Sequence, residues 1–182
     1  REDKANSYNL KLCRRYAENF DVMMKKNQGL IFYGDVGTGK TFAAACIANY
    51  LLSRGTSVVM TSFIKLLSSM QTFGNDNELL ISRLNRAKLL IIDDLGAERD
   101  TEFAQEHVYN IIDSRYRAKR PLIITTNMTI EEIREPNGTR YARIYDRLSK
   151  MYPMEFAGGS WRKDEASRSL AEMKKFLEGN DG

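Results

Sequence analysis

The segment Gly34-Asp35-Val36-Gly37-Thr38-Gly39-Lys40-Thr41 leaves this chain few ways to fold. It follows a short apolar run, Gly29-Leu30-Ile31-Phe32-Tyr33, and leads into residues 41–52, an alanine-rich stretch without proline. A buried strand that enters a glycine-rich turn and leaves as a helix has a physical use. Glycines let the backbone curl so that successive N–H groups point inward, and the helix start adds its partial positive charge. The spacing G-x-x-x-x-G-K-[ST] is that of a phosphate cradle, and the strand before it and helix after it are the confirming context. Lys40 is placed to reach the β- and γ-phosphates of ATP, and the Thr41 hydroxyl to ligate Mg²⁺. The expected ATP-binding residues are therefore Asp35, Val36, Gly37, Thr38, Gly39, Lys40 and Thr41.

The rest of the chain alternates strand and helix signals. Helical spacing of Tyr8, Leu12, Tyr16 and Phe20 or Met23 predicts a helix over 6–24. Strands are expected at 29–33, 57–61, 89–93, 122–126 and 152–156. Helices are expected at 41–52, 63–70, 78–87, 102–118, 141–151 and 165–177, and Thr129 with Glu132 has capping-box spacing. Alternation of this kind indicates a parallel sheet covered on both faces. The 182 residues fit one domain: a helix and link over 1–28, a phosphate-loop core over 29–156 and a C-terminal segment over 157–182.

Three further signals carry chemistry. Leu89-Leu90-Ile91-Ile92-Asp93-Asp94 is an apolar strand ending in two carboxylates, about 50 residues beyond the loop. Ligands of parallel sheets bind at the carboxyl ends of strands. Asp93 is then the Mg²⁺ acid and Asp94 the group that orients or deprotonates the attacking water. The Asp94 side chain is shorter than a glutamate's, which suits slow or partner-dependent hydrolysis. Asn127, just past Ile123-Ile124-Thr125-Thr126, can both donate to and accept from that water; a plain turn asparagine fits the same position.

Arg140, Arg143, Arg147 and Lys150 crowd one segment, with Arg143 and Arg147 on one helical face. Arg147 is the first candidate for a finger reaching a neighbouring subunit's γ-phosphate, and Arg143 the second. A solvated face paired to Asp146 is the other reading. Arg162, after Trp161, is placed to approach the nucleotide of its own subunit, with Trp161 a core anchor. Arg115, Arg117, Lys119 and Arg120 form another basic cluster, facing DNA, a neighbour or solvent.

Charge and cysteine content add exclusions. A net charge of +4, from 28 basic and 24 acidic residues, is too mild to argue for nucleic acid by itself. Cys13 and Cys46 form no CxxC pair and there is one histidine, so a disulfide framework or zinc site is not expected. Both cysteines read as buried, and the protein as cytoplasmic. No apolar run approaches the roughly 18 residues of a membrane span.

Taken in order, these segments resemble the AAA+ ATPase domain of the DnaC/DnaI helicase-loader family, related to the IstB transposition ATPases. The most telling are Asp93-Asp94-Leu95-Gly96 and Asp146-Arg147-Leu148, Ser160-Trp161-Arg162 completes the series, and the match covers about residues 6–162. The resemblance implies strand order 5-1-4-3-2, no helical lid domain, and ATP with Mg²⁺ as cofactors. It implies Asn127 as first sensor, Arg147 as the finger in trans and Arg162 at the second sensor position. It implies a replicative helicase and single-stranded DNA as partners, and self-association into a spiral or ring. Phe63, Lys65 and Phe73 are the DNA-contact candidates, since aromatic stacking plus a cation suits a single strand; a core position is the other reading of Phe63. Loaders also carry an N-terminal helicase-gripping domain, so the resemblance implies that the chain is part of a longer protein. Two other readings stand beside the loader: an IstB-like regulator of a transposase acting on duplex DNA, and a small-molecule P-loop kinase.

Overall fold

Strands apolar at consecutive positions must be covered on both faces. Leu30–Tyr33 (β1), Leu89–Leu95 (β3) and Leu122–Thr126 (β4) are of this kind and form the middle of the sheet. The computed structural model describes residues 2–73, 77–96, 102–134, 144, 146–159 and 161–177. Val58–Ser62 (β2) and Tyr152–Glu155 (β5) complete an all-parallel sheet in the order β2-β3-β4-β1-β5, the expected order read from its other edge. The helices are Glu2–Glu18 (α1), Phe20–Lys25 (α2), Lys40–Ser53 (α3), Phe63–Phe73 (α4), Asn77–Arg86 (α5), Glu102–Arg117 (α6), Ile130–Arg134 (α7) and Trp161–Leu177 (α8).

The handedness of parallel crossovers explains which helix covers which face. From β1 the chain steps across the sheet to β2; all later steps, to β3, β4 and β5, run the other way. A right-handed connection travelling in the opposite direction lies on the opposite face. Accordingly α3 packs with α1 on Leu30, Phe32, Leu89, Ile91 and Ile123. Side chains from α4, α5, α6 and α7 pack on the alternate residues Ile31, Leu90, Ile92, Leu122 and Ile124. None of the described helices is long and apolar enough to cross a membrane.

Several expected boundaries shift. The first helix breaks at Asn19, whose backbone N–H and side-chain Nδ2 both turn back to the Arg15 carbonyl (3.1 and 2.9 Å). Its inward stripe is Asn6, Asn9, Cys13, Tyr16, Ala17 and Phe20, whereas Tyr8 is 60% exposed. The α4 helix runs on to Phe73, β3 to Leu95, and α8 starts at Trp161 instead of 165. Thr129 and Glu132 exchange the two bonds of the capping box (2.7 and 3.2 Å). Of the helix expected over 141–151, residues 144 and 146–148 are helical and 149–150 a turn, and 141–143 and 145 lie outside the described residues. Cys13 is buried, which pushes its thiol up to about 12, but Cys46 is exposed on α3, contrary to expectation.

Arg115 is not part of a surface cluster. It is 1% exposed and donates to four carbonyls: Leu84 and Ala87 at the end of α5, Lys88 before β3, and Pro121 before β4. Burial, and then the charge on Arg120, pulls its pKa down to about 10, so the guanidinium stays charged at neutral pH. Arg115→Met leaves those carbonyls without a donor. It should cost about 3 kcal/mol and lower the melting temperature by roughly 8 °C, and a variant melting with the wild type would disprove this.

Candidate nucleotide site

The loop between β1 and α3 is shaped by positive backbone angles. Gly34 has φ +124°, and a Cβ there would run into the Phe156 carbonyl. Gly39 caps α3 in the left-handed conformation (φ 99°), leaving the first N–H groups of α3 free of side-chain caps. Thr38 Oγ1 closes the loop by donating to the Asp35 carbonyl (2.8 Å). Lys40, 5% exposed, lays its ammonium inside the loop and donates to the Gly34 and Asp35 carbonyls (2.7 and 2.6 Å). A cation is thus held against the carbonyls at the start of the loop.

The carboxylate pair meets this loop. Thr41 Oγ1 donates to Asp93 Oδ1 at 3.0 Å, across 52 residues of sequence. Thr125 Oγ1 donates to the same oxygen at 2.6 Å and accepts the backbone N–H of Asp94 at 3.0 Å. The β3–β4 register shifts between Ile92 and Leu95, and Asp94 takes φ +57°, rare for a residue with a side chain. This bulge re-aims the chain beyond Asp93. Asp94 and Asn127 come to line one cavity of about 400 Å³ with residues 36–42, Asn6, Leu10 and Phe156. Sequence reading assigned no task to Thr125 or Asn6. Thr125 showed only as a β-branched strand residue, and Asn6 only as a polar position near the start of a helix.

The donor set suits Mg²⁺ held partly by phosphate. One hydroxyl and one carboxylate lie together, and among the described residues no group of three or more His, Cys, Asp or Glu could hold a metal alone. Magnesium commonly uses one or two carboxylates plus substrate phosphates and water.

Arg147 is not brought to this cavity. It lines a second one, of about 600 Å³, beside Gly29 and Leu122 at the opposite, amino-terminal edge of the strands. Its Nε donates to Asp113 Oδ1 (3.3 Å) and Nη1 to Asp146 Oδ2 (2.6 Å), and its guanidinium lies 4.7 Å from the Tyr116 ring centroid. The Asp113 hydrogen bond raises the Arg147 pKa above its ordinary value. Asp113 also pairs with Arg117 Nε at 2.6 Å, and Lys150 Nζ donates to the Tyr116 hydroxyl at 2.6 Å.

The remaining candidates divide. Phe63 has no exposed surface and packs in the core with Leu66 and Met70, so it cannot stack on a nucleic-acid base, contrary to expectation. Lys65 is exposed one turn of α4 before Ser69. Phe73 and Arg162 lie on described helical backbone, but their side chains fall outside the described residues, as do Arg140 and Arg143 entirely.

Comparison with known proteins agrees with this geometry. A family model described as IstB-like ATP binding protein matches residues 17–169. The replicative helicase loader DnaC of Escherichia coli (strain K12) is 35% identical over 143 residues, 76% of this chain. The chain spans 56% of the length of that relative. The crystal structure of DnaI superposes with a TM-score of 0.71 at 25% identity, covering 86% of this chain and 84% of that one. The replication initiator DnaA, bound to AMPPCP and single-stranded DNA, shares the fold with a TM-score of 0.68 at 19% identity, covering 92% of this chain and 51% of that one. The five-stranded sheet is that of the AAA+ P-loop fold. By sequence and by architecture, the chain belongs to the IstB-like ATP-binding protein family.

Proposed function

We propose that this chain is the ATP-hydrolysing switch of a replicative helicase loader that binds single-stranded DNA. The observation that carries the ATPase part is the Thr41–Asp93 contact, which sets a hydroxyl and a carboxylate beside the phosphate loop. The loader part rests on the 35% identity to DnaC.

In this reading the loop amides and Lys40 bind the triphosphate, and Thr41 and Asp93 hold Mg²⁺. An ion held by Thr41 and Asp93 would supply positive charge to the phosphates as the reaction proceeds. Asn127 orients a water, and Asp94 draws its proton as the water oxygen bonds the γ-phosphorus. The bond to the bridging oxygen then breaks, giving ADP and phosphate. Arg147 belongs to the neighbouring subunit's site, where its charge stabilises the transition state. Arg162 approaches the nucleotide within its own subunit. Lys65 and Phe73 remain the DNA-contact proposals.

Lys40→Ala removes the cation from the loop, and ATP affinity should fall at least roughly 100-fold. Titration with a fluorescent ATP analogue measures this, and an unchanged affinity refutes the cradle. Arg147→Ala should keep ATP affinity within roughly twofold while lowering hydrolysis by roughly 1000-fold in the assembled state. Equal rates for dilute and assembled wild-type protein would remove the trans role. The loader reading itself is tested by pull-down of the full-length protein. ATP-dependent capture of the replicative helicase supports it, and capture of a transposase instead identifies an IstB-like regulator.

A further inference from the structure

Two carboxylates in succession cannot serve one site from a regular strand, because successive side chains point to opposite faces. The end of β3 departs from that alternation. Leu95 packs with Leu90 and Ile92, whereas strict alternation would set it with Leu89 and Ile91. The chain therefore slips by one residue between Ile92 and Leu95, where the β3–β4 register shifts. Asp94 takes φ +57° within this slip, and it lines the nucleotide cavity. A residue with a side chain keeps that conformation only where its surroundings hold it there.

Two threonines on β4 do the holding. Thr125 and Thr126 follow the apolar run Leu122-Ile123-Ile124, and both are fully buried. Thr126 Oγ1 donates to the Leu95 carbonyl (2.6 Å) and accepts the Met128 N–H (3.1 Å), which pins the far side of the slip. Thr125 Oγ1 takes the Asp94 N–H at 3.0 Å. An N–H can only donate, so the threonine oxygen accepts there, and its single proton goes to Asp93 Oδ1 at 2.6 Å. One hydroxyl thus fixes both acids, the first through its carboxylate and the second through its backbone.

We propose that Thr125 is a positioning residue for ATP hydrolysis. Its oxygen holds the Asp94 backbone in the turn that sets this carboxylate at the cavity. Its proton keeps Asp93 in place beside Thr41, where the pair would hold Mg²⁺. Thr125 itself has no exposed surface, so it acts through the two acids and touches no ligand. The inference rests on the reading that this cavity holds ATP and that Asp94 draws the proton of the attacking water.

The test uses the full-length protein in its assembled state. Thr125→Val keeps the side-chain shape without the hydroxyl, and Thr125→Ser keeps the hydroxyl. Thr125→Val should lower kcat at least roughly tenfold, as the loss of buried hydrogen bonds allows. The midpoint of a Mg²⁺ titration of the nucleotide-bound protein, followed with a fluorescent ATP analogue, should rise roughly tenfold. Affinity for the analogue without Mg²⁺ should stay within roughly twofold, because Lys40 and the loop amides are untouched. Thr125→Ser should restore both kcat and the midpoint. A merely structural role would lower Mg²⁺-free affinity and hydrolysis together. That parallel loss overturns the inference and leaves the phosphate cradle standing, as does wild-type kcat or an unmoved midpoint in Thr125→Val. A folded Thr125→Ser below about a tenth of wild-type kcat also overturns it, so poor folding of Thr125→Val does not spare the proposal. Wild-type protein that binds ATP without hydrolysing it removes the role of Asp94 and this inference with it, and wild-type protein that binds no ATP removes the cradle as well.

Discussion

A single carboxylate oxygen joins the three elements that make the site. Asp93 Oδ1, at the tip of β3, accepts one hydroxyl from Thr41 at the start of α3 and one from Thr125 on β4. Hydrogen bonds to an ionised acceptor are roughly twice as strong as neutral ones, so these contacts fix the helix start against the sheet edge. Thr125 has a second task, because its oxygen takes the N–H of Asp94. That bond occupies an N–H that the bulge removes from the β3–β4 ladder. Losing the Thr125 hydroxyl would therefore loosen Asp93 and leave the Asp94 amide without its acceptor together.

The topology decides why this point lies at a rim and not within the core. Every strand runs the same way, so all carboxyl ends share one edge. Because β1 and β4 are neighbours far apart in sequence, the phosphate loop and the residues after β4 arrive side by side. Asn127 reaches the cavity for that reason alone. The reversed crossover direction after β2 leaves α1 and α3 together on one face. The amides of Asn6 and Asn9 then tie α1 to the chain at and just after β5.

What could be read from the sequence was whatever is local or periodic. The loop spacing, the strand ends at Asp93 and Asn127 and the capping box are all contained within short windows. Failures came where a polar residue is buried by distant partners. Asn6 and Asn9 occupy the inward stripe of α1 because Ala157 and Glu155 offer carbonyls about 150 residues away. A hydrophobic pattern counts them as outward, which shifted the expected face to Tyr8. Arg115 reads as one of four surface cations, yet its acceptors come from two stretches far from each other in sequence, residues 84–88 and Pro121. Phe63, two residues from Lys65, fits either a stacking site for a single strand or a core position by sequence alone. Its neighbours on α4 show instead that it faces the sheet at the point where β2 becomes helix.

The two edges of the sheet carry opposite chemistry. The carboxyl edge offers a cradle for a triphosphate next to Asp93 and Asp94. The amino edge has a cleft whose lining includes Lys25, Lys26, Lys119, Arg120, Arg147 and Lys150, and no acidic side chain among the described residues. Contact between such unlike edges of two copies is heterologous, and it repeats as a ring if the rotation closes or as a helix if it does not. The proposed trans role of Arg147 needs this arrangement, since one chain's own phosphate loop lies at the far edge from its guanidinium. The cage around Arg147 suits that role. Asp113 and Asp146 engage Nε and Nη1, Tyr116 covers one face, and no described residue takes Nη2. A guanidinium already held in place loses less freedom when a phosphate arrives. Under that proposal assembly, not local rearrangement, completes the site, and hydrolysis would report on whether a neighbour is present.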